Sequence, residues 1–176
     1  MEIFDLYDEN RIKTGQTMVR GDKTPDEFYR MVVHICIFSS DGKMLVQQRQ
    51  PFKKGWSNMW DVSVGGSAVS GDSSLSAAIR EVREELGIVL EPSQLRHFIT
   101  IVDKSVFDDW YAVNKDIDIS ELKLQPEEVQ NAKWADIDEI KAMVDEEIFI
   151  PYHKSFIDML FHFSHSSGTR TKGDVS

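Results

Sequence analysis

The sequence predicts an α/β domain, and three observations carry that expectation. Runs of β-branched and aromatic residues recur before residue 65 and again between residues 97 and 134. Between them, Leu75, Ala78, Ile79, Val82 and Leu86 recur at three- and four-residue steps, which makes one apolar helical stripe. After residue 135 two further helical patterns follow. Strands, helix, strands and then helices is the element order of an α/β domain.

The elements read as follows. Residues 1–20 form an N-terminal hairpin extension: Ile3 to Tyr7 alternates in part, Asp8-Glu9-Asn10 is turn-like, and Ile12 to Val19 continues, with Gly15 as an interruption. These strands are the place for a possible homodimer contact. Met31 to Phe38 is a strand, Ser39-Ser40-Asp41-Gly42 a turn, and Lys43 to Arg49 the returning strand. The next loop carries Arg49, Lys53, Lys54 and Trp56, either as solvated lysines with Trp56 and Trp60 as core tryptophans or as cations leaning toward substrate phosphates with Trp56 stacking on a planar group. Trp60 to Val64 is a short strand that delivers Gly65 and Gly66.

The helix begins at Ser74, with Ser73 as its cap, and ends at Gly87, which can take the left-handed conformation. Off the apolar stripe sit Glu81, Glu84 and Glu85, the latter two one turn beyond the first. They read either as a solvated face balanced by Arg80 and Arg83 or as oxygen donors for a hard divalent cation.

At these residues the sequence resembles the Nudix hydrolases. Gly66, Arg80, Glu81, Val82, Glu84, Glu85, Gly87 and Ile88 fall in register with that family's box, and Asp72 stands where the family has Glu. The resemblance implies a Nudix-type α/β/α sandwich around a mixed β-sheet. It also implies a Mg²⁺ site, with Mn²⁺ as an alternative, built from Glu81, Glu84, Glu85 and the Gly65 carbonyl. Arg80 would orient a glutamate, and Glu81 or Glu84 would act in catalysis. The activity implied is Mg²⁺-dependent cleavage of a diphosphate bond in a nucleoside diphosphate linked to a group X. Leu45 to Arg49, the Lys53-Lys54-Gly55-Trp56 loop and the Trp60 strand also look like isopentenyl diphosphate isomerase, a relative with the same fold. That family's cysteine and histidine fall where this chain has Gly65 and Ser67. A Nudix-fold binding module without catalysis is the third reading.

After the helix, His97 to Val102 and Ser105 to Val113 read as two strands. Asp108 and Asp109 must face opposite sides, and Asp109 is the expected extra acid at the metal, because Nudix sites often recruit one from this part of the sheet. Glu127 and Glu128 are alternative bases on a loop, before a last strand around Ala132-Lys133-Trp134. Asp136 caps a helix, another follows Pro151, and 164–176 is expected as a disordered tail.

Composition bounds the rest. At 176 residues, 41% hydrophobic and 28% charged, the chain suits a single domain over residues 1–163. Residues 1–5 lack the basic-then-apolar order of a signal peptide, and the apolar run around Met31 to Phe38 is too short to span a bilayer. The single cysteine, Cys36, has no internal partner and reads as a small buried hydrophobe in a reducing, cytoplasmic setting. A net charge of −10 argues against nucleic acid or an anionic membrane as partner. It leaves room for a small phosphorylated metabolite, which meets the local field of its site.

Overall fold

A computed structural model describes residues 2–165. Among them the chain forms, in order, β1 (Ile3–Tyr7), β2 (Lys13–Val19), β3 (Arg30–Phe38), β4 (Met44–Arg49), β5 (Trp60–Asp61), β6 (Val64–Ser67), α1 (Ser74–Leu86), β7 (Arg96–Asp103), β8 (Val106–Asn114), β9 (Val129–Ala135), α2 (Ile137–Asp145) and α3 (Lys154–His165). Short 3₁₀ turns stand before β7 and between β8 and β9. The expected tail is corrected at residues 164 and 165, which belong to α3. Its remainder, 166–176, lies outside the described residues.

The position of the cleft follows from how β3 and β4 separate. They leave their turn as the expected hairpin, in register at Phe38–Met44, and then part. Beyond that point β3 pairs with β8 in parallel and with β6 antiparallel, while β4 pairs antiparallel with β5 and β9. Ser63 fills the angle between them. Its fully buried hydroxyl accepts from the Ile37 amide at 2.8 Å and donates to the Leu45 carbonyl, satisfying backbone groups that a continuous hairpin would have paired. The sheet is therefore a fork, and its open end is a cleft.

Alternation along β3 sorts side chains between the two helical layers. Val33, Ile35 and Ile37 pack with Ala78, Val82 and Leu86 of α1. Cys36 and Phe38 pack with Ile140, Ile157 and Leu160 from α2 and α3. Each large apolar side chain so buried contributes about 1.5–3 kcal/mol. Helix α1 is closed at both ends as its sequence suggested. The Ser73 hydroxyl accepts from the Ser76 amide at 3.0 Å, and Gly87 stops the helix at φ 72°.

In the N-terminal hairpin β1 pairs antiparallel with β2, which passes through Gly15 with a shift of register instead of breaking there. Phe4, Leu6 and Met18 bury its inner face, and paired backbone hydrogen bonds of 2.8 and 2.9 Å join Tyr7 to Tyr29. At the hairpin's turn, Arg11 grips the carboxylate of Asp109 with bonds of 3.0 and 2.6 Å; the two side chains are 36% and 2% exposed. Burial works to raise the Asp109 pKa. Hydrogen bonds from Arg11, Ser74 and Thr100, with the Arg11 charge, outweigh it and hold the carboxyl below 3.8.

Replacing Arg11 with Met leaves that buried charge without its partner. The expected loss at neutral pH is about 2 kcal/mol, less than for a fully buried pair because the guanidinium is partly wet. The folded-state pKa is depressed, so the pair's contribution is complete above 3.8 and fades as pH falls through the folded value. Denaturant unfolding of both proteins at pH 7 and pH 3 should show the gap shrink; an equal gap at both would contradict the assignment.

Candidate active site

The fork encloses a cleft of about 1020 Å³. One wall comes from β6 and α1 and carries Gly65, Gly66, Ser67, Arg80, Glu81, Glu84 and Glu85. The end of β4 supplies Arg49 and the loop after it Phe52, Lys53, Lys54 and Trp56, and the segment before β9 supplies Gln125, Glu127 and Glu128. Arg30, Val32 and His34 face in from β3, and Glu2 and Arg20 from the N-terminal hairpin. Asp61 and Tyr152 complete the floor.

The acidic wall is held by Arg80. Its guanidinium donates to Asp72 Oδ2 at 3.1 and 2.9 Å, to the Ser67 carbonyl at 3.0 Å, and to Glu81 and Glu84 at 3.0 Å each. Asp72, one methylene shorter than the family's glutamate, still reaches Arg80. Burial would lower the Arg80 pKa, but the carboxylates around it raise it. Glu81 sits so close to the main chain that a Cβ on Gly66 would lie 2.1 Å from its carboxyl carbon. Burial raises the Glu81 pKa, with Arg80 working the other way. Glu85, 5% exposed, is pushed well up by burial despite a 2.9 Å hydrogen bond from Gln47.

The acids share one wall without crowding. Among the described residues no three acidic, histidine or cysteine side chains are gathered closely enough to hold a cation as they stand. The reason is visible: Arg80 draws Glu81 and Glu84 to itself, and Glu85 turns to Gln47. The donor set nevertheless suits a hard divalent cation, since it consists of carboxylate oxygens beside a glycine backbone. Gln47 Oε1, buried next to Glu85 with no hydrogen-bond partner, marks unsatisfied negative character at the same place.

The opposite wall is less cationic than its sequence. Lys53 is paired with Glu128, and Arg49 braces the loop through a 3.1 Å bond to the Gly55 carbonyl. Lys54 lines the cleft, and Trp56, at φ 49°, is 52% exposed there. Glu127 also lines it. Asp109 does not: it lies on the α1 side of β8 level with Val33, locked to Arg11, so the expectation of an extra acid at this residue is corrected. Its neighbour Asp108 faces the cleft side and reaches it through His34 Nδ1, 2.6 Å away. Cys36 is fully buried outside the cleft, and burial pushes its thiol pKa well up.

Several cleft residues went unrecognised in the sequence. The His34 ring stacks on Trp110 at 4.3 Å; burial works to lower its pKa and Asp108 outweighs that. Asp61, 4% exposed, accepts from the Val62 amide at 2.8 Å and the Tyr152 hydroxyl at 3.0 Å, and burial raises its pKa. Arg30 and His34 share a strand face with Val32. Two polar residues at alternate positions of an apolar strand were the signal that could have found them.

A methyl group on Gly66 has to displace the Glu81 carboxylate, a flexible end that can swing away without breaking the sheet. Gly66→Ala should therefore fold, and any divalent cation held on this wall should bind it about tenfold or more weakly than wild type. Titration calorimetry beside a melting curve checks this. Wild-type affinity in the variant would remove Glu81 from the site.

Comparison with known proteins agrees with this geometry. The NUDIX domain family matches residues 28–158. An uncharacterized Nudix hydrolase of Listeria monocytogenes is 41% identical over 167 residues, covering 95% of this chain and 98% of its own. Isopentenyl-diphosphate Delta-isomerase of an Escherichia coli strain is 26% identical over 145 residues, 80% of each chain. The crystal structure of DR0079 from Deinococcus radiodurans superposes with a TM-score of 0.72 at 24% identity, over 94% of this chain and all of that one. With the box residues gathered on one wall of a forked sheet, and relatives matched over nearly their full length, this chain belongs to the Nudix hydrolase family.

Proposed function

We propose that the protein is a Mg²⁺-dependent hydrolase, with Mn²⁺ as an alternative ion, that cleaves a diphosphate bond in a nucleoside diphosphate linked to a group X. The observation that carries this reading is the apposition of the acidic wall, Glu81, Glu84 and Glu85, to Lys54 and Trp56 across one cleft. Glu84, Glu85 and the Gly65 carbonyl would hold the ion, with Glu81 as a further ligand or as the base. Once bound, the ion neutralises phosphate charge and makes water more acidic. Glu81 is suited to take the proton of the attacking water because burial raises its proton affinity while Arg80 fixes its direction. Lys54 meets phosphate oxygens, and Trp56 offers a face for stacking on a base. Lys53, already paired with Glu128, contributes less charge.

The isomerase reading fits this chain poorly. Gly65 and Ser67 stand where that family's cysteine and histidine fall. A Cβ on Gly65 would lie 3.0 Å from His34 Cδ2, so the histidine ring would have to give by a few tenths of an ångström to admit a side chain there. Cys36 is sealed in the core behind the sheet.

Glu84→Gln is the decisive variant. Its carboxylate is 50% exposed and its pair with Arg80 lies at the surface, so stability should change by no more than about 1 kcal/mol. Loss of an ion ligand is worth several kcal/mol at the transition state, so kcat should fall at least about a hundredfold. A Mg²⁺-dependent phosphate-release screen over nucleoside di- and triphosphates, nucleotide sugars and dinucleotides measures this. Unchanged turnover in the variant would defeat the reading.

A further inference from the structure

The acidic wall and the Lys54–Trp56 loop leave one arm of the cleft unexplained. Arg30 opens β3 and Arg49 ends β4, on strands that are in register at Phe38–Met44, so the two arginines stand on opposite arms of the fork. Arg49 is used in bracing its loop. Arg30 is not used in this way. It is partly buried, its guanidinium makes a 3.3 Å contact with the Ser67 hydroxyl, and among the described residues no carboxylate is in ion-pair contact with it. Burial and the nearby Arg20 both push its pKa down, and Asp108 offsets them only in part. A second guanidinium is thus held close to one that is already short of negative charge. Arg20 pairs with Glu2 at 2.6 Å, but the side chains are 58% and 46% exposed, so that pair is easily opened to another anion. Both arginines line the cleft, and Arg30 reaches Ser67 on the strand that carries Gly65 and Gly66.

We infer that Arg30, assisted by Arg20, forms a second anion subsite that takes a terminal phosphate of the substrate, beyond the diphosphate lying over the acidic wall. Planar guanidinium forks suit phosphate oxygens, and a partly buried one without a countercharge is stabilised most by such a ligand. The inference rests on the hydrolase reading for where the diphosphate lies, and it narrows the substrate class. Group X should end in a phosphate, as in a nucleoside triphosphate, in preference to a neutral sugar.

The subsite is measurable without turnover. Tripolyphosphate is titrated calorimetrically into the full chain in the presence of EDTA. Wild type should bind it, Arg30→Gln should bind about tenfold or more weakly, and Arg30→Lys should fall between, keeping charge but losing the fork. Lys104→Gln, at the exposed turn between β7 and β8, should bind as wild type. Melting curves confirm that each variant is folded, and Arg30→Lys preserves the test if Arg30→Gln is not. In steady state with Mg²⁺, Arg30→Gln should raise KM about tenfold for a nucleoside triphosphate, leaving kcat and the KM for a nucleotide sugar nearly unchanged. No tripolyphosphate binding by wild type, or equal binding by the Arg30 variants, overturns the subsite. Specific binding lost on Arg30 substitution, with no turnover of either nucleotide, would overturn the hydrolase reading and leave the subsite standing.

Discussion

The Arg80 guanidinium ties together the parts that make this site. From the middle of α1 it reaches Asp72 in the loop before the helix, the Ser67 carbonyl at the end of the glycine strand, and Glu81 and Glu84 on its own helix. Each contact is charge-assisted or made to a backbone oxygen, and together they fix the distance between helix and strand at which Glu81 lies against Gly66. Burial would oppose so concentrated a positive charge. The surrounding carboxylates reverse that, and the same arginine keeps those carboxylates from repelling one another.

Around this knot the forked sheet supplies the space. Ser63 lets β3 and β4 separate without stranding backbone groups, because one hydroxyl both accepts from β3 and donates to β4. Had the hairpin stayed zipped, the short strands β5 and β6 could not have run between its arms, and the helix acids would face packed sheet instead of a cleft. A small buried hydroxyl thereby converts a supersecondary unit into a site.

The charge layout also depends on position more than on composition. The chain carries a net charge of −10, yet Arg20, Arg30, Lys53 and Lys54 all line the cleft. They are unequal. Lys53 is neutralised by Glu128 and Arg20 by an exposed glutamate, whereas Arg30 is partly buried with a hydroxyl for company. Desolvation and existing partners decide which cation is free to recognise an anion.

Much of the architecture was legible in the sequence because it is locally encoded. The apolar stripe of α1, its Ser73 and Gly87 caps, the Ser39–Gly42 turn and the spacing from Gly66 to Ile88 are all set by residues within a few turns of one another. The box residues share a wall for the same reason. What only the tertiary structure decided involves partners far apart along the chain. Asp109 faces away from the cleft because β8 pairs in parallel with β3, placing it beside Val33 and under Arg11 from the hairpin. A choice between two adjacent acids on a strand turns on that register, which alternation alone leaves open. Arg30, His34 and Asp61 line the cleft on strands that part where Ser63 stands between them, and Arg20 reaches it from the N-terminal hairpin. Local pattern determines elements and caps; long-range pairing determines which of their side chains meet.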